Sequence, residues 1–141
     1  MLVRNIMNKN VVVTKPDITL REASKVMIDF DIGSLVVTKG DDILGILTST
    51  DILKAISEGK NFDKTLAEEI MSKEVETIEP DKTLEDAVDV MVKHKIKKLP
   101  VTENGKLIGI VTTSDIFVVE PKLIESVASL ISLKLPWYQG G

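Results

Sequence analysis

Two short stretches of the sequence share one arrangement of a glycine, hydroxyl residues and an aspartate. They are Gly45-Ile46-Leu47-Thr48-Ser49-Thr50-Asp51 and Gly109-Ile110-Val111-Thr112-Thr113-Ser114-Asp115. Each lies where a predicted strand passes into a predicted helix, and the backbone N–H groups at a helix start favour a phosphate. A carboxylate accepts from both hydroxyls of a ribose, and glycine allows a ligand or a backbone to come close. This chemistry suits a nucleotide.

The same residues have a second explanation that needs no ligand. Thr48 with Asp51, and Thr112 with Asp115, are spaced as an aspartate version of the helix capping box. A duplication copies a cap as readily as a binding site. The motif alone therefore leaves both explanations open.

The two stretches belong to an internal repeat that extends over most of the chain. Residues 6–53 align with residues 70–117 at a shift of 64 without a gap, and about 20 of the 48 aligned pairs are identical. Copies of this size are expected to pack as a pseudo-twofold pair, and a cleft between two halves is a common place for a ligand. We predict repeat 1 at residues 1–61, repeat 2 at 62–119 and a C-terminal helical tail at 120–141.

Hydrophobic periodicity predicts the element order β-α-β-β-α in each repeat, and so an α/β (α+β) fold. The first repeat has predicted strands at 11–14, 32–38 and 43–48 and helices at 19–30 and 50–56. The second has predicted strands at 75–78, 99–102 and 107–111 and helices at 83–93 and from 114. Capping boxes, Thr19 with Glu22 and Thr83 with Asp86, begin the two longer helices.

Two segments outside these elements also have helical patterns. The linker 62–71 contains a possible capping box, Thr65 with Glu68, which predicts a short helix. After Pro121 an apolar stripe predicts a further helix that has no equivalent in the first repeat. Such a stripe either closes the domain's own core or contacts a partner.

The composition excludes several classes of protein. The 141 residues include no cysteine and one histidine, His94, so thiolate metal sites and disulfides are ruled out. The net charge of -4 opposes nucleic-acid binding, and no apolar run or leader predicts membrane insertion or export, so we expect a cytoplasmic protein. No nucleophile–base pair or metal-ligand cluster can be read from the spacing. We therefore expect no enzymatic activity, no catalytic cofactor and no metal.

The combined motifs resemble a tandem cystathionine-β-synthase (CBS) domain pair, also called a Bateman module. The shared features are Ile-Met before each first strand, Pro-Asp-x-Thr-Leu before each longer helix and the glycine–aspartate motif at each second helix. The resemblance covers roughly residues 3–119. It implies a stand-alone regulatory module that binds AMP, ADP, ATP or S-adenosylmethionine in the clefts between the repeats. It also implies a homodimer formed through the helices, which passes a signal to an effector protein.

The resemblance assigns a role to each site residue. Asp51 and Asp115 would bind ribose, and Ile46 and Ile110 would pack against the adenine. The hydroxyl residues that would face phosphate are Thr48, Thr50, Thr112 and Ser114. The first strands would line the base from the other side, through Val13 and Thr14 in one repeat and Thr77 and Ile78 in the other.

The repeats differ next to this motif. The second has Lys97 and Lys98 before Leu-Pro-Val, resembling a stretch of the family in which a basic residue reaches phosphate, whereas the first has no base and an acid at Asp31. The two sites are therefore expected to differ, with the lysines favouring a more phosphorylated ligand. Alternatively, these lysines simply face water.

A function of a different class also fits the sequence. The fold would then serve only in oligomerisation or interaction, independent of any ligand, with the exposed helices and the apolar tail as contact surfaces.

Overall fold

The computed structural model describes residues 1–123, and their contacts divide them into two units. One unit is Val11–Val75, and the other combines Met1–Asn10 with the chain from Glu76 onward. The first ten residues thus pack with the second repeat, although they precede the first repeat in sequence. The predicted helix after Pro121 lies outside the described residues beyond Leu123.

The unit Val11–Val75 contains a three-stranded sheet in the order β1-β2-β3, with β1 parallel to β2 and β2 antiparallel to β3. Its elements are β1 Val13–Thr14, α1 Leu20–Phe30, β2 Ser34–Lys39, β3 Asp42–Thr48, α2 Ser49–Ser57 and α3 Ala67–Ile70. The first five elements follow the order β-α-β-β-α predicted for the first repeat.

The second unit repeats the helices and the hairpin. Its elements are α4 Leu84–His94, β4 Lys98–Glu103, β5 Lys106–Thr112 and α5 Thr113–Val119, with single 3-10 turns at Val3–Asn5 and Pro121–Leu123. Strands β4 and β5 are antiparallel. The predicted mixed fold of two related repeats is confirmed.

Both longer helices begin at the predicted threonine. The Thr19 hydroxyl accepts from the Glu22 N–H at 3.2 Å, and the Glu22 carboxylate accepts from the Thr19 N–H at 3.0 Å. Thr83 and Asp86 form the same two bonds at 3.1 Å each. The backbone bond from the threonine is the main reason why the pKa values of Glu22 and Asp86 are lowered. The caps therefore contribute fully to stability at pH values above the ordinary carboxyl pKa. That contribution is lost as the pH falls through the lowered pKa values of Glu22 and Asp86.

The first strand of the second repeat is shorter than predicted. Residues 75–78 form a single parallel bridge, Ile78 with Val101, whereas β1 forms two bridges with β2. Pro100 takes the place that Val36 has in the first repeat, and proline has no N–H to donate to a neighbouring strand. The missing donor limits the predicted strand to one bridge.

The short helix predicted in the linker is confirmed, but its predicted capping box is wrong. Leu66 precedes the first residue of α3, and the Glu69 carboxylate, not Glu68, accepts from the Leu66 N–H at 2.6 Å. The predicted cap residue, Thr65, instead has its carbonyl oxygen in a 3.0 Å bond from the Leu20 N–H. This tertiary contact moves the helix start by one residue.

Each unit has its own hydrophobic core. The core of the first unit consists of Ala23, Met27, Leu35, Val37, Leu47, Ile52 and Ala67. The core of the second consists of Val3, Ile78, Leu84, Ala87, Val88, Met91, Leu99, Val101, Val111 and Ile116. In both, one side of the hairpin packs on the longer helix, so the hairpin is fixed in register and in orientation.

Two reciprocal backbone hydrogen bonds join the third strand of each repeat to the residue that follows an Ile-Met pair. Ser72 and Ile46 exchange two N–H···O bonds of 2.9 Å each. Asn8 and Ile110 exchange bonds of 2.8 and 2.9 Å. Each repeat's leading segment is thus bonded to the strand of the other repeat: residue 72 to β3 and residue 8 to β5.

The motif glycines are the reason why these segments can come so close. A Cβ added at Gly45 would lie 2.6 Å from the Ser72 carbonyl oxygen and 2.6 Å from the Met71 sulfur. A Cβ at Gly109 would lie 2.8 Å from the Met7 sulfur and 3.1 Å from the Asn8 carbonyl oxygen. The close approach predicted at the motif glycines is therefore made by the protein's own chain.

We expect Gly45→Ala to lower the free energy of unfolding by about 1–3 kcal/mol, because the added methyl group meets a backbone oxygen that cannot rotate away. Urea denaturation followed by circular dichroism measures this change. Gly33→Ala is the matched control, since its Cβ would lie 3.7 Å from the Ser49 Oγ, an ordinary contact. Equal losses in the two variants would contradict the close approach at Gly45.

Candidate functional site

The hairpin of the first repeat has two different faces. Leu35, Val37 and Leu47 are fully buried in the core. Residues between them point to the opposite side, because successive side chains along a strand alternate. We call this side the outer face, and in the first repeat it consists of Ser34, Val36, Ile46 and Thr48.

The outer-face residues form two cross-strand rows. Val36 lies opposite Ile46 and pairs on its other side with Val13, so three apolar side chains stand in one row. Ser34 lies opposite Thr48, two residues nearer to α2. The predicted site residues Val13, Ile46 and Thr48 are therefore brought to one face of the same sheet.

The strand-to-helix junction of the first repeat forms a complete capping box. The Thr48 N–H donates to the Asp51 carboxylate at 2.9 Å, and the Asp51 N–H donates to the Thr48 hydroxyl oxygen at 3.1 Å. Both residues are partly buried, while Thr50 is exposed on the first turn of α2. The predicted cap is thus present. Within residues 1–123 it leaves the Thr48 hydroxyl hydrogen and the second Asp51 oxygen without a bond.

The second repeat has the same junction. The Thr112 N–H donates to the Asp115 carboxylate at 3.2 Å, and the Asp115 N–H donates to the Thr112 hydroxyl oxygen at 3.1 Å. Ser114 is exposed on the first turn of α5. On the outer face, Ile110 lies opposite Pro100. The hydroxyl, carboxylate and isoleucine of the motif therefore recur together in both units.

The two lysines that distinguish the second repeat have different places. Lys98 begins β4 and lies directly opposite Thr112, so its side chain is on the outer face beside the junction. It is partly buried, and desolvation lowers the pKa of its ammonium group. No ion pair or hydrogen bond joins that ammonium to another described residue. Lys97 precedes the strand, and its carbonyl oxygen accepts from the Thr113 N–H at 2.9 Å.

The residues predicted on the first strands divide between the two faces. Ile78 is buried in the core, and Thr14 pairs with the core residue Val37, so both are directed towards the core side. Val13 and Thr77 are exposed. Thr77 lines a surface cavity of about 490 Å³ to which no residue of the junction contributes.

Sequence reasoning missed Ser34 and Val36, which complete the rows of the outer face. The signal that could have found them is the hairpin register. A short turn between two strands fixes which residues lie opposite Ile46 and Thr48. The partner of Thr112 is found in the same way, and it singles out Lys98 from Lys97.

The arrangement is suited to holding a ligand by hydrogen bonds and apolar contact. Among residues 1–123, no three His, Asp or Glu side chains are grouped as a metal site requires. None of the helices in this part of the chain has the length and apolar character needed to cross a bilayer.

Comparison with known proteins identifies the family. The CBS domain family matches residues 3–58 and 67–121, which together make up most of the chain. This chain belongs to the CBS domain family and contains two CBS domains in tandem. The resemblance inferred from the sequence motifs is confirmed.

Several known proteins are similar to this chain. An uncharacterised protein of Methanopyrus kandleri is 41% identical over 128 residues, which are 89% of this chain and 65% of that protein. A CBS domain-containing protein of Bacillus subtilis is 32% identical over 117 residues, 82% of this chain and 83% of that protein. A solved CBS domain pair in complex with 5′-methylthioadenosine and S-adenosyl-L-methionine is 31% identical, with a TM-score of 0.76, and the match covers 86% of this chain and 97% of that one.

Proposed function

We propose that each strand-to-helix junction binds an adenosine-containing ligand and that the chain is a regulatory sensor rather than an enzyme. One observation supports this proposal above all. In both units an aspartate carboxylate with only one oxygen bonded in the helix cap lies with a threonine hydroxyl beside an isoleucine on the outer face. A relative solved with 5′-methylthioadenosine and S-adenosyl-L-methionine supports the choice of adenosine as the shared chemical group.

In the first repeat, the proposed ligand follows the two rows of the outer face. The base would lie against Val13, which is exposed, and Ile46, which is partly exposed, while Val36 between them is buried and supports the row. Asp51 would accept from the ribose hydroxyls, since one carboxylate oxygen is not bonded to Thr48 and each oxygen has two lone pairs. The 5′ group would then extend towards the hydroxyls of Thr48 and Thr50.

In the second repeat, the same roles fall to the equivalent residues. Asp115 would bind the ribose, Ile110 would contact the base, and Thr112 and Ser114 would face the 5′ group. Of the two lysines, Lys98 is the better placed for a 5′ phosphate because its strand position is opposite Thr112. AMP, ADP, ATP and S-adenosylmethionine all share the adenosine that these residues would recognise.

The regulatory role requires that binding be passed on. A ligand that bonds to the carboxylate oxygen and the hydroxyl hydrogen left free by the helix cap would stabilise the start of α2 or α5. An effector protein in contact with these helices would sense the change. A sensor of this kind belongs in the cytoplasm, where adenosine-containing metabolites are made and used.

We expect isothermal titration to show binding of at least one of AMP, ADP, ATP and S-adenosylmethionine with a Kd below about 1 mM, and we expect the variant Asp51→Glu/Asp115→Glu to weaken it at least tenfold. Glutamate preserves the cap, as Glu22 does in α1, but displaces the carboxylate by one methylene group. Stability in urea should therefore stay close to that of the wild type.

Asp86→Glu is the matched control, because it alters the same kind of capping box away from the proposed sites and should leave the Kd unchanged. Wild-type protein that binds none of the four compounds, or a double variant that binds as tightly as the wild type, would contradict the proposal.

A specific observation also favours self-association as a second function. The longer helix of each repeat has an exposed apolar residue at the same repeat position, Ile28 at 80% exposure and Val92 at 37%. The second helices have another such pair, Leu53 at 65% and Phe117 at 49%. Helices α1 and α2, which carry Ile28 and Leu53, contact each other, and apolar side chains exposed together on one surface mark an interaction site. We propose that a second copy of the chain covers them.

We expect the wild type to be a dimer by size-exclusion chromatography with light scattering, and Ile28→Glu/Leu53→Glu to be a monomer, because two charges cannot be buried unpaired at an interface. Val118→Lys is the control, since Val118 is 78% exposed and the first repeat has Lys54 at the aligned position. A monomeric wild type, or a double variant that remains dimeric, would contradict this second function.

A further inference from the structure

Surface charges change sign between the two repeats along their longer helices. At five aligned positions the first repeat has a charge of one sign and the second has the opposite charge. These residues are Lys15, Arg21, Lys25, Asp29 and Asp31 in the first repeat and Glu79, Glu85, Asp89, Lys93 and Lys95 in the second. The acids of the helix caps, Glu22 and Asp86, keep their sign. A charge that a cap needs is thus retained, whereas the other aligned charges of these two helices are reversed.

Three of these positions form a line along each helix. The residues follow one another at four-residue spacing, as Arg21, Lys25 and Asp29 in α1 and as Glu85, Asp89 and Lys93 in α4. This spacing places each set on one side of its helix, and all six side chains are exposed. We call each set the charge stripe of its helix. Each stripe borders an exposed apolar residue, Ile28 in α1 and Val92 in α4, which lies three residues after the middle member.

The order of charges in α1 does not serve the stability of its own helix. In α4 the acids lie in the first turn and the bases in the last, which is the order that the helix dipole favours. In α1 the stripe begins with two bases and ends with Asp29, and the last turn contains no base. That order is slightly unfavourable within the helix. Its explanation therefore lies in a contact outside the helix.

Most of the stripe residues are available for such a contact. Arg21 is the exception, because its guanidinium is bonded to the Asp63 carboxylate at 2.5 Å. The other five residues of the two stripes form no ion pair and no side-chain hydrogen bond within residues 1–123. Exposed ion pairs contribute little affinity, but like charges that face each other across an interface oppose it. The stripes therefore decide between arrangements of two copies.

Pairing of like helices brings like charges together. When α1 packs against α1 of a second copy across a twofold axis, the residue at the centre of the contact faces its own copy. The central residue of the stripe is Lys25, so two ammonium groups meet. Attraction between Arg21 and Asp29 at the flanks is weakened, because Arg21 is already bonded to Asp63. Pairing of α4 with α4 has the same conflict at Asp89.

Pairing of unlike helices removes this conflict. When α1 lies parallel to α4 of the second copy, with aligned positions opposite each other, Lys25 faces the partner's Asp89 and Asp29 faces the partner's Lys93. Every position of the stripe then has opposite charges across the contact. Ile28 meets the partner's Val92 in the same register, so the apolar residues are covered together.

We propose that two copies associate with the first repeat of each on the second repeat of the other, α1 being parallel to the partner's α4 in this register. A twofold axis generates the contact twice, since residue i then contacts residue j and residue j contacts residue i. The inference rests on the self-association proposed above and specifies which surfaces of the two copies meet.

Cysteine cross-linking tests this arrangement directly, because the chain contains no cysteine. Ile28→Cys and Val92→Cys each place one thiol in the apolar contact, and a disulfide forms only where the Cα atoms come within about 7 Å. Under mild oxidation a mixture of the two variants is expected to give a disulfide-linked dimer with one chain of each. Either variant alone is expected to give none. Lys73→Cys mixed with Ile28→Cys measures cross-linking by random collision.

Charge exchange tests the role of the stripes. Lys25→Asp is expected to raise the dimer dissociation constant at least about tenfold, because it places two acids together in both contacts. Lys25→Asp/Asp89→Lys restores opposite charges and is expected to return the constant to within about threefold of the wild-type value. Lys73→Asp is the matched control, since it makes the same charge change at an exposed residue outside the helices. Sedimentation equilibrium measures each constant.

Three results would overturn the arrangement and leave self-association in place. They are a cross-link formed by Ile28→Cys or Val92→Cys alone, a dimeric mixture that forms no cross-link above the random rate, and a charge-exchanged double variant as weak as Lys25→Asp. A wild type that is monomeric would overturn both this inference and the proposed self-association. Adenosine binding is measured separately and is independent of these outcomes.

Discussion

The outer face depends on two pairs of backbone hydrogen bonds, which only a neighbouring glycine leaves room to form. Ser72 bonds to Ile46, and Asn8 bonds to Ile110, each through two N–H···O bonds beside a motif glycine. These exchanges add an extra strand-like segment to each hairpin and fix the isoleucine that the proposed site uses. Through them the leading segment of each repeat is bonded to the third strand of the other repeat.

The junction serves the fold and the proposed ligand with the same atoms. Each aspartate satisfies a backbone N–H that a helix start would otherwise leave exposed, and the threonine satisfies another. The cap orients the carboxylate without using all of its lone pairs. The same motif can therefore serve both as a helix cap and as a ribose site. Replacing Asp51 and Asp115 with glutamate separates the two roles, because glutamate preserves the cap but displaces the carboxylate from the ribose.

Local chemistry made part of this structure predictable from the sequence. A threonine with an acid three residues later caps the helix start at Thr19, Thr48, Thr83 and Thr112. Asn104 and Gly105 adopt the positive φ angles of 52° and 78° that the predicted turn needs. Long-range effects were not predictable in this way. Pro100 shortens the first strand of the second repeat to one bridge only because that strand pairs beside it. The shift of the linker cap from Thr65 to Leu66 depends on the bond between the Thr65 carbonyl oxygen and the Leu20 N–H. The difference between Lys97 and Lys98 likewise emerges only from the register with Thr112.

The central claim is that the repeated junctions are adenosine sites, and a crystal structure of the chain grown with saturating AMP tests it most directly. We predict electron density for the nucleotide on the outer face of the second repeat, with the ribose hydroxyls within hydrogen-bond distance of Asp115 and the phosphate beside Lys98. Nucleotide bound elsewhere, with the carboxylates of Asp51 and Asp115 bonded only to their own helix caps, would contradict the claim.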